Sequence, residues 1–190
     1  RLYALDVVEA INGLHLPRYG LQNYALHRPK QSPTEEEARI IRDLARGGRR
    51  LMGFCRTNLF KRLESSGYAF LLSVERHVLR NFIFLHALEN GLPLPIGAQE
   101  AEMLDTGFED EDVEDAFFSG NSLFDWTDAD NDETMQADAT MDGAADPVEA
   151  YRVRAGEVYQ RYRTALRTRF RWLRADLFGP SLKKHLAEDA

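Results

Sequence analysis

The stretch Arg56–Phe70, "RTNLFKRLESSGYAF", decides how the chain is read. It sets a Lys-Arg pair, a Glu, two serines and a glycine into a run whose apolar residues recur at helical spacing. The repeat continues on both sides. Met52, Cys55, Leu59, Leu63, Ser66, Phe70, Val74, His77, Phe82, Leu85 and Leu88 fall close to every 3.6 residues. The phase survives Ser65-Ser66-Gly67. This predicts one long helix from about Arg49 to Glu89, kinked at Gly67 and stopped by Asn90-Gly91. The small residues at 65–67 would let another helix cross closely.

Upstream, Leu5, Val8, Ile11 and Leu14 form a short helical stripe, broken at Pro17 and Gly20 in "HLPRYGLQNY". "SPTEEEARIIRDLA" carries a helix-start signal. Ser32 is the expected cap, Pro33 the first helical residue and Glu35 the partner in a capping box. That helix is expected to end at Gly47-Gly48. Downstream, "DPVEAYRVRAGEVYQRYRTALRTRFRWLRADLF" places Tyr159, Tyr162, Leu166, Phe170, Leu173 and Leu177 on one helical stripe. Arg163, Arg167, Arg171 and Arg174 lie on a neighbouring one. Gly179-Pro180 ends it, and "PSLKKHLAED" is expected to form a last short helix. No strand alternation stands out. The expected class is all-α: a helical bundle built on the long central helix and a long Arg-rich C-terminal helix.

Charge divides the chain. Between Glu100 and Glu149 there are 18 acidic residues and no Lys or Arg. The remainder holds 24 basic residues against 13 acidic, a net of +11. The organisation read from this is a first bundle part at 1–98, an acidic, largely disordered insertion at 99–147, and C-terminal helices at 148–190 completing the same bundle. The insertion carries apolar islands around Phe117, Phe118, Leu123, Phe124 and Trp126. Such asymmetry suits a nucleic-acid-handling body with a solvated or competing acidic segment.

The 190 residues suffice for a core without disulfide or metal. One cysteine, Cys55, excludes a disulfide framework and a paired-Cys zinc site, and fits a reducing, cytoplasmic setting. No run of 18 apolar residues or signal-peptide pattern points to a membrane. The first residue is Arg1, which suggests a piece of a longer polypeptide.

Site chemistry is sparse. Lys61 and Ser65 have the spacing of a nucleophile pair, but a mid-helix serine bonds the carbonyl four residues back and no oxyanion hole accompanies it. "DADNDETMQADA" from Asp128 imitates a calcium loop, yet has Glu133 where the turn needs Gly and Ala139 where the bidentate Glu belongs. His15, His27, His77, His86 and His185 lack metal-motif spacing, and His77 and His86 read as packed helix residues. No phosphate loop and no Gly-x-Gly-x-x-Gly occurs. No catalytic residue, metal ligand or bound cofactor is therefore expected in this chain. Arginine remains, suited to phosphate by its planar fork. The candidate DNA contacts are Arg56, Lys61, Arg62, Arg76, Arg80, Arg163, Arg167, Arg171 and Arg174. The competing reading is a solvated face or internal salt bridges.

"GFCRTNLFKRLESSGYAF", "SVERHVLRNFIFLHALENGLPLPIG" and "RFRWLRADLFGPSLKKHLAED" together resemble bacterial Swi/Snf-type superfamily-two helicases, some of which also carry a phospholipase-D-like domain. The resemblance covers nearly the whole chain except about 99–147. It implies a helical region between two RecA-like ATPase lobes of one polypeptide, a parent that translocates on DNA, and ATP with Mg²⁺ held by those lobes. None of the family's ATPase motifs matches a position here. The alternative is a protein-interaction module that docks through Phe117, Phe118, Phe124 and Trp126 and binds no nucleic acid.

Overall fold

The computed structural model describes residues 5–97 and 146–190. Five α-helices dominate: α1 (Leu5–Gly13), α2 (Glu35–Ser65), α3 (Gly67–Glu89), α4 (Pro147–Thr164) and α5 (Pro180–Glu188). The all-α expectation holds, with one small exception. A two-stranded antiparallel sheet pairs β1 (Leu94–Ile96) with β2 (Arg171–Leu173), Pro95 opposite Trp172. A sheet this short tolerates the proline because both strands are edges. The acidic insertion, apart from Asp146 and Pro147, and the docking residues Phe117, Phe118, Phe124 and Trp126 lie outside the described residues.

The long helix expected over Arg49–Glu89 is two helices. Ser66 adopts extended backbone (φ −158°, ψ 125°), closing α2 and opening α3 as its N-cap, where its hydroxyl accepts from the Ala69 N–H. The chain turns there, and α3 runs back along α2. Leu59 and Leu63 pack with Phe70 and Val74, and an Arg62 guanidinium nitrogen donates to the Ser73 hydroxyl at 2.8 Å. "LESSG" is thus a corner whose serines are exposed, rather than a small-residue crossing point.

The helix expected to stop at Gly47-Gly48 instead runs through both glycines. Two interior glycines cost a helix about 1 kcal/mol each relative to alanine. At Gly48 the reason is space: a Cβ would lie 2.7 Å from the Tyr19 carbonyl oxygen and from the Gln22 side chain. The 3-10 segment Pro17–Tyr24 uses that gap to lie against α2. The helix also starts two residues later than expected. Thr34 is the cap, and Glu37 completes the box by accepting from the Thr34 N–H at 2.8 Å.

The expected C-terminal helix ends at Thr164. The following residues form a short 3-10 turn (Arg167–Arg169), strand β2 and another turn (Ala175–Leu177). Pairing with β1 and aromatic packing outweigh the helical periodicity of "RTRFRWL". Phe170 packs on Tyr162 (ring centroids 4.5 Å apart), and Trp172 meets Tyr159 edge-on.

The main core joins Ile40 and Leu44 of α2, Leu79 and Phe82–Leu85 of α3, Tyr159 and Tyr162 of α4, both strands, and Leu182 and Leu186 of α5. Full burial of each such aliphatic side chain stabilises by roughly 1.5–3 kcal/mol. Gly156 lets α4 approach α3 closely, since a Cβ there would meet the His86 ring at 3.3 Å. A smaller cluster around Ile11, Leu59 and Leu63 attaches α1 beside the corner.

Candidate functional site: the arginine surfaces and the buried polar cluster

The candidate DNA contacts separate by burial. Arg76 and Arg80 lie on the face of α3 turned into the structure, only 1% and 2% exposed. They are interior residues, so the expectation that they present phosphate contacts at the surface is corrected. Arg56 and Arg62 are half-buried and bonded inward, Arg56 to the Leu14 carbonyl at 2.6 Å and Arg62 to Ser73.

Arg174 spends its fork within the chain. Nε donates to Glu37 Oε1 at 3.0 Å, Nη1 to Gln31 Oε1 at 2.6 Å, and Nη2 to the Ser32 carbonyl at 3.0 Å. It fastens β2 to the start of α2 beside an open cleft of about 410 Å³. Burial alone would raise the Glu37 pKa. The Thr34 N–H and Arg174 outweigh it and hold the carboxyl below its ordinary range. Arg171 is half-buried, with Asp43 at 3.8 Å. Lys61, Arg163 and Arg167 stand exposed at the surface.

One surface escaped the sequence reading. With α2 continuous through Gly47-Gly48, Arg39, Arg42, Arg46 and Arg50 fall on one exposed face. Their i,i+3 and i,i+4 spacing was the available signal. A helix broken at the glycines conceals it, because Arg50 then belongs to a different helix from Arg39.

The interior polar cluster is centred on Arg18, which is 3% exposed. Its Nε donates to Asn81 Oδ1 at 2.9 Å, and its Nη2 lies 3.2 Å from His77 Nδ1. Guanidinium only donates, so His77 Nδ1 accepts and the ring proton sits on Nε2. Burial first, then Arg18 and Arg80, holds the His77 pKa well below its ordinary value, and the ring is neutral. His77, Asn58, Ser73 and Cys55 line a cavity of about 30 Å³. That volume has room for water but not for a substrate.

Asn81 also donates to the Asp189 carbonyl at 3.0 Å, while the Asp189 carboxylate accepts from the His15 and Leu16 N–H groups at 2.8 and 2.6 Å. Leu16 there holds a left-handed conformation (φ 51°). These bonds tie the C-terminus of α5 to the segment after α1. His77 and His86 are packed helix residues, as expected, and the Cys55 thiol is half-buried between the two smaller apolar clusters.

His15, His185 and Glu188 come together although 170 residues separate the histidines, and no spacing motif foretells this. The imidazoles are stacked at 3.9 Å and within 6° of parallel. An ion bound in the plane of each ring cannot serve two parallel rings one above the other, so the arrangement is a packing contact. His15 Nε2 reaches Glu188 at 3.2 Å and His185 Nδ1 pairs with the Tyr24 hydroxyl at 2.9 Å. Lys61 is exposed and Ser65 sits at the exposed helix corner. No helix among the described residues is long and apolar enough to cross a membrane.

Searches against protein-family models, curated proteins and solved structures find no match to this chain.

Proposed function

We propose that this chain is a helical accessory module of an ATP-dependent Swi/Snf-type DNA helicase or translocase. It packs on or between the RecA-like ATPase lobes of the same polypeptide and contacts DNA phosphate. The observation that carries the reading is the sorting of its cations. The inward arginines are consumed as internal staples, while Lys61, Arg163 and Arg167 remain exposed with no ion-pair partner among the described residues.

The residues that resemble the helicase family support it, since they build the α2–α3 hairpin and the C-terminal half of the core. Exposed Tyr68 and Leu71, 56% and 58% accessible just past the corner, add an apolar patch suited to packing on a lobe. With no phosphate loop in the sequence, ATP and Mg²⁺ are assigned to the lobes. Contact through arginine and phosphate is independent of base sequence.

The test is titration of the chain with unrelated duplexes across salt. The reading expects similar affinities for all of them, and a log–log salt slope of about −0.9 per neutralised phosphate. No binding at low salt would overturn DNA contact.

A further inference from the structure

Resting on that reading, we propose that the outward face of α2, formed by Arg39, Arg42, Arg46 and Arg50, is the main duplex-phosphate contact of the chain. At about 100° per residue the four arginines fall within roughly 80° of one another. Ile40, Leu44, Leu51, Leu59 and Leu63 face into the core on roughly the opposite side of the helix. The core therefore holds the helix rigidly, with the arginines pointing away from it.

Among the described residues the face is also uncompensated. Asp43, the acidic residue within the stripe's span, has its nearest ion-pair contact with Arg171 of β2. Glu35 and Glu36 sit one turn before Arg39 without pairing to it, and no ion pair forms between the four arginines and any described residue. Arg50 lies over the Phe54 ring at 5.4 Å, which orients it without neutralising it.

The dimensions suit a phosphate backbone. Eleven steps of about 1.5 Å from Arg39 to Arg50 extend the stripe over about 17 Å, the length of roughly five base pairs at about 3.4 Å each. Four forked cations over that length match successive phosphates of one strand. No Asn or Gln accompanies them on this face to read an adenine edge, and forks spent on phosphate rather than on guanine carry no sequence information.

The experiment replaces all four arginines with Gln, a comparable helix former, in the full 190-residue chain. Circular dichroism and thermal unfolding verify the fold. Duplex binding is then titrated between 50 and 200 mM salt beside an Arg163→Gln/Arg167→Gln control. The proposal expects the salt slope to fall by about 3.6, equivalent to roughly 100-fold of the affinity change across that range, and a smaller change in the control. Wild-type chain that binds duplex while the folded fourfold variant binds equally well overturns the α2 surface and leaves the proposed function standing. No duplex binding by wild type overturns both. Tighter capture of poly-glutamate than of duplex through these four residues would identify an acidic polypeptide as the occupant and overturn the proposal.

Discussion

Arg18 and Arg39 lie in consecutive helical segments and do opposite things. Arg18 sits inside, clamped between Asn81 and His77 with its ring-facing side over Tyr19. Arg39 belongs to an outer row with no ion-pair partner among the described residues. The same side chain is a rivet in one place and, in the other, an exposed cation that we propose meets phosphate. Burial, rather than position in an arginine-rich stretch, separates the two roles. Arg174 shows how far this goes: it lies in the densest Arg/aromatic run of the sequence, yet its donors are taken by Glu37, Gln31 and Ser32.

The contrast is open to attack from its strongest point downward. Arg18→Ala removes a buried side chain and leaves Asn81 Oδ1 without its donor, so urea unfolding is expected to register a loss of about 3 kcal/mol. Duplex affinity of the folded fraction should stay unchanged. Glu37→Ala is expected to cost about 2 kcal/mol by calorimetry, since it dissolves both the capping box and the Arg174 anchor. Its pH signature has a definite sign. The folded-state pKa of Glu37 is lowered, so its contribution is complete above the unfolded value of 4.5 and is lost as pH falls through the folded value. The wild-type advantage over Glu37→Gln should therefore shrink in acid.

His77 gives a gentler test. Its folded-state pKa is depressed, so the unfolded chain takes the proton first as pH falls below 6.5. Stability is expected to decline below that pH in wild type and to decline less in His77→Gln. The smallest expected effect is on the outer row: replacing Arg39, Arg42, Arg46 and Arg50 with Gln should move unfolding free energy by no more than about 0.5 kcal/mol. A larger loss would make those arginines structural and erase the contrast.

Where periodicity and punctuation agreed, the sequence was a good guide. The stripe begun at Leu5 yields α1, "PSLKKHLAED" yields α5, and Asn90-Gly91 stops α3 with Gly91 at φ 62°. The errors arose where a local signal had two physical meanings. Gly47-Gly48 read as a stop, but close approach of Tyr19 is an equally good reason for glycine in a helix. Ser65-Ser66-Gly67 preserved apolar phase, yet the same serine is a strong N-cap and turned the chain back. In "RTRFRWL" the aromatic residues keep helical spacing, while their partners, β1 and Tyr159, are known only after folding.

Among the candidate phosphate contacts, residue type was legible and direction was not. Arg76 and Arg80 are both buried, and Arg80 faces α2 across the small cavity. Arg39–Arg50 became visible as one row only with the helix intact across both glycines.

The most direct test is arginine-specific modification by phenylglyoxal, read residue by residue by mass spectrometry with and without duplex DNA. The account predicts that Arg39, Arg42, Arg46 and Arg50 react in the free chain and are protected by duplex, while Arg18 and Arg174 stay unreactive in both. Reaction of the outer four that is unchanged by duplex, or an Arg18 as reactive as they are, would contradict it.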